Sequence, residues 1–125
     1  MPTIEPTQAQ IAALMSTELV GPVHMVNLLK FKGDEGRASY ARYAAGILSH
    51  LARVGGSVVF RGHQRMTVIG DDAWDEVIIV EYPSRQAFID MIMHPDYLKL
   101  AQHRTAALED SRLYCLQAPS PPEGA

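Results

Sequence analysis

The amino-acid sequence predicts one α+β domain in which strands and helices follow one another in the order β-α-β-β-α-β. Residues 74–104 contain a β-branched strand, a Pro-Ser stop and two helical segments separated by a proline. Residues 23–54 likewise contain an apolar strand followed by a helix that ends at a Gly-Gly pair. Between these units, the stretches 57–70 and 74–82 flank a Gly-Asp-Asp-Ala turn, which is typical of a hairpin. This order is the ferredoxin-like pattern, with a four-stranded antiparallel sheet and helices on one face.

Residues with known capping and turn preferences bound the elements of the first half. Thr7 and Gln10 have the spacing of a capping box, which starts a short helix. Gly55 is a natural left-handed C-cap for the long helix that precedes it. The predicted elements are a helix over 7–16, a strand over 23–32, a loop over 33–36 and a helix over 38–54.

The second half of the chain also contains residues that mark the ends of helices and strands. Gly62, in the middle of a long strand, indicates a bulge or a kink. Ser84 is a good N-cap, and His94-Pro95 breaks the helical region, after which Asp96 is expected to cap a further helix. The predicted elements are strands over 57–70, 74–82 and 112–117 and helices over 85–93 and 97–109. We therefore expect a lead-in segment over 1–21, the domain over 22–117 and a disordered Pro-rich tail over 118–125.

Composition narrows the classes of function. The chain has 125 residues, of which 47% are hydrophobic and 20% are charged, and its formal net charge is −3. That charge leaves no basic surface for nucleic acid or an anionic membrane. No apolar stretch approaches the roughly 20 residues of a membrane-spanning helix. The single cysteine, Cys115, excludes an internal disulfide and suits a cytoplasmic location.

The first strand predicts self-association. Residues 23–32 are apolar on both faces, which is typical of a strand that is covered on both faces. In a domain of this size, helices cover only one side of the sheet well. The other side is therefore expected to meet a second sheet, so that two copies form a homodimer.

Several segments carry a family resemblance. The sequences MVNLLKFK, SYARYAAG, DEVIIVEYPSRQAF and HPDYLKLAQHR are similar to those of the family known as domain of unknown function 1330. The resemblance covers about residues 23–117. It implies the dimeric α/β-barrel variant of the ferredoxin-like fold and brings no settled activity with it.

Other families of that superfold suggest where a ligand would bind. They include cofactor-free monooxygenases, haem-degrading monooxygenases, muconolactone isomerases and dye-peroxidase-type haem enzymes, whose ligands generally lie between the sheet and the helices. Some use an Asn on the first strand with a Trp and a His or Arg nearby. By that fold-level analogy, Asn27, Trp74 and Arg104 become candidates here.

Arg104 is the leading candidate for a catalytic residue. It shares one helical face with Tyr97 and several apolar residues, so its guanidinium is expected to face the sheet. A guanidinium in that place needs a carboxylate or a bound anion. One interpretation is an internal ion pair with Glu81. The other is a clamp for a carboxylate, enolate or phenolate oxygen of a substrate.

The other candidates each have a structural alternative. Asn27 would orient a carbonyl or be a hydrogen-bonded core amide, and Trp74 would be a wall for a flat ligand or a packing residue. Tyr43 and Tyr97 would place hydroxyls in the cleft or at its rim. His63 shares a strand face with Arg61 and Arg65, in a polar stripe that would line the ligand or face solvent or the dimer partner. The expected substrate-binding set is Trp74, Tyr97, Glu81 and His63, and the expected catalytic set is Arg104, Asn27 and Tyr43.

No cofactor or metal is expected from the sequence. The five histidines include no pair at four-residue spacing and no HExxH motif. Cys115 is expected to be a small core residue rather than a nucleophile. A haem ligand from His94 or His103 is suggested only by analogy with the superfold.

The sequence supports two classes of function. The first is a homodimeric protein with a cleft for an organic anion or aromatic metabolite, which would act as a cofactor-independent monooxygenase or isomerase. The alternative is a non-catalytic dimeric binding or structural module, in which the polar residues only pair with one another. A haem-binding protein is a weaker alternative.

Overall fold

The computed structural model describes residues 2–118 and contains the predicted order of elements. Four strands form one antiparallel sheet in the order β2-β3-β1-β4. This is a ferredoxin-like α+β fold, as predicted. The tail predicted over 118–125 lies outside the described residues except for residue 118. The elements are α1 Gln8–Ser16, β1 Val23–Phe31, α2 Gly33–Val54, β2 Ser57–His63, β3 Glu76–Tyr82, α3 Arg85–Ile92, α4 Pro95–Ala107 and β4 Leu108–Leu116.

The predicted caps are confirmed at three helix ends. The Thr7 hydroxyl accepts a hydrogen bond from the Gln10 N–H, while the Gln10 side chain accepts from the Thr7 N–H. The Ser84 hydroxyl accepts from the Ala87 N–H at 3.1 Å. Gly55 ends α2 in the left-handed region, with φ of 79°. These ends follow from local chemistry and need no tertiary contact.

The long strand and the long helix have different limits from those predicted. β2 ends at His63 rather than at residue 70, because side chains hold the next residues in a loop. The Gln64 side chain accepts from the Trp74 N–H at 2.8 Å, and Thr67 donates to a loop carbonyl. α2 begins at Gly33, so the loop predicted over 33–36 is its first turn.

The end of α4 and the start of β4 also differ. The His94 Nδ1, not the Asp96 side chain, accepts the first free N–H of α4, that of Asp96, at 3.1 Å. The helix ends at Ala107 rather than at residue 109, since the Ala107 carbonyl accepts from the Lys32 N–H at 2.9 Å. The chain then enters β4 at Leu108, earlier than the predicted residue 112.

The register of β2 contains a bulge, although not at Gly62. The pairing with β3 shifts between Val58 and Phe60, so Val59 is the extra residue. A bulge changes which side chains share a face of the sheet. Here it places Phe60 opposite Ile79 and His63 opposite Glu76.

The two faces of the sheet differ in cover. Alternate residues of β1 and β3 are buried against the helices and form the core with aromatic residues of α2, α3 and α4. The opposite side, here called the open face, carries half-buried and exposed side chains. The core face includes Val23, Met25, Leu29, Glu76, Ile78, Val80 and Tyr82, and the open face includes Val26, Leu28, Phe60, Val77, Ile79, Tyr114 and Leu116.

The segment before α1 is tied to the domain by polar contacts. The Thr3 N–H donates to the Asp110 carboxylate at 2.9 Å, and the Ser111 hydroxyl donates to the Thr3 carbonyl. Ile4 packs against the core. The lead-in segment is therefore part of the folded unit. Within residues 2–118, no helix is both long enough and apolar enough to cross a membrane.

Two glycines of α2 give a matched test of helix packing. A Cβ added at Gly36 would lie 2.5 Å from the Ala107 carbonyl oxygen, whereas one added at Gly46 would meet the end of the Leu100 side chain. Alanine gains about 1 kcal/mol over glycine in a helix interior. We expect Gly36→Ala to lower the free energy of unfolding by about 1–3 kcal/mol, because the backbone must move. Gly46→Ala should lower the free energy of unfolding by less, or raise it, in the same urea titration. Equal effects of the two substitutions would contradict this packing.

Asp110 makes the attachment of the first residues pH-dependent. The hydrogen bond from the Thr3 N–H, with help from Arg112, lowers the pKa of Asp110 to about 2 from 3.8. Because the folded-state pKa is the lower one, this stabilisation is complete above about pH 4 and is lost as pH falls towards 2. We expect Asp110→Asn to lower the free energy of unfolding at pH 7 by about 0.5–1 kcal/mol, discounted for exposure. Urea titrations at pH 7 and pH 2.5 measure this, and Glu109→Gln is the control. If the difference in unfolding free energy between the wild type and Asp110→Asn is the same at pH 2.5 as at pH 7, the Asp110 carboxylate does not cause the pH dependence.

Candidate functional site

A buried carboxylate lies on the core face of the sheet. Glu76 begins β3 and is 2% exposed, although the other core residues of that face are mostly apolar. The alternation along β3 places it on the same side as Ile78 and Val80, against the helices. A carboxylate removed from water needs a charged or hydrogen-bonding partner. Glu76 is therefore the position around which a polar site is expected.

Arg61 and His63 meet Glu76 from the neighbouring strand. The Arg61 guanidinium donates from Nε to Glu76 Oε1 at 2.9 Å and from Nη2 to Oε2 at 3.3 Å. The His63 Nδ1 lies 3.9 Å from Oε1, which is longer than a hydrogen bond. Both side chains reach the core side because the Val59 bulge sets their register. Each side chain is at least half exposed, so the group opens to solvent.

These residues line a cleft between the sheet and the start of α2. Its volume is about 190 Å³. Its lining combines the charged Glu76 and Arg61 with the aromatic rings of Phe31 and Tyr40. Arg37 stands over the Phe31 ring, with its guanidinium carbon 5.2 Å from the ring centroid. The lining residues are Phe31, Arg37, Tyr40, Ala41, Arg61, His63 and Glu76.

Tyr40 connects the cleft with the aromatic core. Burial raises the pKa of its hydroxyl to about 12, and the Glu76 charge acts in the same direction, while Arg104 opposes them. The hydroxyl therefore stays protonated at neutral pH and is a hydrogen-bond donor. Its ring centroid lies 5.2 Å from that of Phe31 and 5.4 Å from that of Tyr43.

Tyr43 and Tyr97, both predicted to reach the cleft, instead pair with each other in the core. Their hydroxyl oxygens lie 2.7 Å apart, and both residues are buried. Burial and the neighbouring Tyr97 raise the pKa of Tyr43 well above its usual value. Neither tyrosine lines the cleft. A role in the chemistry remains a prediction for both, with Tyr40 between them and the cleft.

Arg104 faces the tyrosines, but its predicted ion pair with Glu81 is wrong. The guanidinium donates to the Ile4 carbonyl at 3.0 Å and thus holds the lead-in segment. Its charge lowers the pKa values of Tyr40 and Tyr43 against the effect of burial. Glu81 lies on the other side of the sheet, where its carboxylate is 2.9 Å from His24 Nε2. The sheet separates the two predicted partners.

Asn27 and Trp74 also lie outside the cleft lining. Asn27 is on the core face, where its side-chain amide donates to the Ile78 carbonyl at 3.2 Å. The Arg112 guanidinium carbon lies over the Trp74 ring, 5.2 Å from its centroid, at the edge of the open face. Of the seven residues expected from the sequence, His63 is the one that lines the cleft. Binding roles for the others remain predictions.

The remaining histidines and the cysteine lie away from the cleft. Within residues 2–118, no cluster of three or more His, Cys, Asp or Glu side chains has the arrangement of a metal site. His94 caps α4, as described above, and His103 is exposed. Cys115 is exposed near the end of the edge strand β4, which corrects the expectation of a core residue. That the chain needs no cofactor stays a prediction.

Comparison with known proteins places the chain in a family. Residues 30–118 match the family model described as "Domain of unknown function (DUF1330)". The chain belongs to the DUF1330 family. The predicted resemblance is thereby confirmed. No protein with a curated description matches the chain.

Solved structures agree with this family and with the fold. The chain is 37% identical to RPA0582 of Rhodopseudomonas palustris, a protein of unknown function, with a TM-score of 0.89 and coverage of 97% of this chain and 100% of that one. It resembles SnoaB, a cofactor-independent oxygenase from Streptomyces nogalater, at 24% identity and a TM-score of 0.56, over 81% and 96% of the two chains. A dimeric ferredoxin-like protein of unknown function from Bacteroides fragilis matches at 14% identity and a TM-score of 0.55, over 77% and 95%. The last two likenesses concern the fold.

Sequence reasoning missed Glu76, Arg37 and Tyr40 as members of one site. The signal available was the charged residue at the head of an apolar strand, in the sequence WDEVIIVEY. Because that strand is apolar on both faces, its alternation does not tell which carboxylate, Glu76 or Glu81, faces the helices. The structure resolves this choice in favour of Glu76.

The tyrosine pair offers a test of the buried hydroxyls. Tyr43→Phe or Tyr97→Phe removes one hydroxyl and leaves the other without its partner, which should cost about 1–3 kcal/mol of unfolding free energy. The double variant should cost less than the sum of the single ones, because both polar groups are gone. Urea unfolding of the four proteins completes this double-mutant cycle. Strictly additive losses would contradict a direct hydroxyl–hydroxyl bond.

Proposed function

We propose that this chain is a homodimeric, cofactor-independent enzyme that abstracts a proton from a small organic anion in the cleft at Glu76. The observation that supports this most is the buried Glu76 carboxylate, which meets Arg61 and His63 at the wall of a solvent-open cleft. A carboxylate, an imidazole and a guanidinium side by side are the groups needed to move a proton and to hold the resulting anion.

His63 is the proposed base. Its imidazole is largely exposed at the cleft and lies 3.9 Å from Glu76, so a small side-chain rotation brings the two into hydrogen-bond contact. Glu76 would then orient the ring and stabilise the imidazolium that forms when His63 accepts a proton. Such contacts are often long before a substrate binds. Glu76 is fixed for this role by Arg61.

The anion left by proton abstraction would lie beside positive charge. Arg61 and Arg37 both line the cleft, and the Tyr40 hydroxyl is a donor at neutral pH. An enolate or phenolate held in this way would be reprotonated at another atom, which is isomerisation, or would react with dioxygen. The likeness to a cofactor-independent oxygenase is compatible with the second route. Both routes begin with the same proton transfer.

A non-catalytic binding module is the second candidate. The observation that favours it is the double hydrogen bond between Arg61 and Glu76, which already gives each carboxylate oxygen one donor. In that case the polar residues would shape the cleft, and a bound molecule would leave unchanged. The two candidates differ in whether protons of a bound molecule exchange with solvent.

The homodimer is proposed to form through the open face. Structures of similar fold are described as dimeric. On the open face of this chain, Phe60, Tyr114 and Leu116 are each about half exposed, and Val26 and Ile79 lie between them. Face-to-face packing would cover these apolar side chains and leave the cleft, on the opposite side of the sheet, open to solvent. The single unpaired cysteine supports a cytoplasmic location for the dimer.

Hydrogen–deuterium exchange tests the proposed chemistry without knowledge of the final reaction. The purified protein is incubated in D2O with hydroxyaromatic acids and 1,3-dicarbonyl acids, and loss of each carbon-bound proton is followed by NMR. We expect exchange of at least one compound to fall about 10²-fold or more in His63→Ala, the size of a general-base contribution. His103→Ala, which changes an exposed histidine on α4, is the control. Wild-type exchange equal to that of His63→Ala would support the binding module instead.

A charge on the open face should separate the subunits. Phe60 and Leu98 are both 56% exposed, the first on the open face and the second on α4. We expect Phe60→Glu to convert a dimer to a folded monomer, since carboxylates would oppose apolar side chains. Leu98→Glu should remain dimeric. Sedimentation velocity measures the mass of each variant, and a dimeric Phe60→Glu protein would place the interface elsewhere.

A further inference from the structure

We infer that the cleft selects a flat, single-ring monocarboxylate with a hydroxyl at the far end of the ring, and that Arg37 is the residue that recognises the carboxylate. This inference rests on the proposed function, because it names the class of anion that would enter the same cleft. Three observations support it. The cleft is small, Arg61 is already hydrogen-bonded to Glu76 while Arg37 is not, and the rings of Phe31 and Tyr40 line the cleft.

The size of the cleft limits the ligand. Its volume is about 190 Å³. Pockets for drug-sized molecules are larger, about 300–1,000 Å³. One aromatic ring with a carboxylate and a hydroxyl can lie within this volume and contact its lining, whereas a fused polycyclic compound would leave part of its rings outside the cleft, without contacts.

Arg37 is the guanidinium available to a ligand carboxylate. Arg61 uses two of its N–H groups on Glu76, at 2.9 and 3.3 Å. Arg37 has a looser contact, 3.6 Å from the Asp75 carboxylate, and its side chain is half exposed. The other Asp75 oxygen already accepts from the Phe31 N–H at 2.8 Å. Arg37 therefore has donors to offer in the fork geometry that suits a carboxylate.

The wall beside Arg37 favours a flat ligand. The guanidinium is stacked over the Phe31 ring, which restricts its position. The Tyr40 ring lies 5.2 Å from Phe31 at an angle of 57°, so the two rings form an apolar corner. An aromatic ring bound to Arg37 through a carboxylate would contact this corner, and the remaining substituent would point towards Glu76.

At the Glu76 end of the cleft, a hydrogen-bond donor of the ligand is favourable and a second negative charge is unfavourable. Glu76 is a buried acceptor, and His63 stands beside it as the proposed base. A hydroxyl there would donate to this pair and transfer its proton to His63, and the phenolate formed would take up a deuteron at a ring carbon in D2O. A second carboxylate would meet the buried Glu76 carboxylate, whose like charge repels it and whose Arg61 partner is already engaged. Monoanions should therefore bind better than dianions.

Isothermal titration calorimetry with 4-hydroxybenzoate, terephthalate and anthraquinone-2-carboxylate tests this selection on the wild-type protein. We expect 4-hydroxybenzoate to bind about tenfold or more tightly than the dianion terephthalate and the polycyclic acid. Arg37→Gln should weaken 4-hydroxybenzoate about tenfold or more and leave neutral 4-methylphenol unchanged. Arg37→Lys should recover only part of the affinity, because it lacks the planar fork. Arg42→Gln, on the exposed side of the same helix, is the matched control.

The outcomes separate this inference from the proposed function. Equal or tighter binding of the polycyclic acid or of terephthalate, or an Arg37→Gln variant that binds 4-hydroxybenzoate normally, would overturn the selection described here. If His63-dependent deuterium exchange is then found on a larger or uncharged compound, the proposed proton transfer stands without it. If the wild-type protein binds 4-hydroxybenzoate with the expected dependence on Arg37 and no compound exchanges, the selection stands and the enzyme does not.

Discussion

The hydrogen-bonded ion pair between Glu76 and Arg61 is the interaction on which the rest of this site depends. A carboxylate that is 2% exposed on the core face of a sheet would be strongly unfavourable without a partner. Arg61 supplies that partner only because β2 runs beside β3 with a bulge at Val59. Without the bulge, Arg61 and Phe60 would exchange faces, which would leave Glu76 unpaired and place a charge on the open face. We infer that this pair prevents the start of α2 from closing on the sheet and so keeps the cleft open.

The sheet divides the molecule into two different surfaces. On the core side, aromatic residues of α2 and α4 fill the centre, and the polar cleft lies at one end, near Glu76. On the open face, half-exposed apolar residues are available to a second sheet. This arrangement would make subunit association and ligand binding independent, because each would use opposite faces of the same strands.

The sequence predicted the order of the elements and several of their ends, because these depend on local chemistry. The Thr7 capping box, the Ser84 cap and the left-handed Gly55 all follow from residues within one turn of the helix end. Elements whose limits depend on distant partners were predicted less well. α4 ends where Lys32 meets its last carbonyl, and β2 ends where Gln64 binds the Trp74 N–H.

The candidate site was harder to predict for a related reason. β3 is apolar on both faces, so its alternation does not show whether Glu76 or Glu81 faces the helices, and the ion pair that the sequence suggests for Arg104 is with Glu81. The Val59 bulge, which brings Arg61 and His63 to the core side, has no sequence signal of its own; the glycine that suggested a bulge lies three residues later. His63 is a candidate from the sequence because it shares a polar strand face with Arg61 and Arg65. The sequence of α2 does not show which of its charged residues and tyrosines reach the cleft.

The most direct test of the account is a crystal structure of the Glu76→Gln variant beside that of the wild-type protein. If the buried ion pair holds the cleft open, the neutral variant should release Arg61 into solvent, and the Phe31 and Tyr40 rings should move towards the sheet and reduce the cleft. The fold and the subunit interface should be unchanged. If Arg61 keeps its position over the neutral side chain of that variant, with a cleft of the same shape, packing alone forms the cleft and the central claim is contradicted.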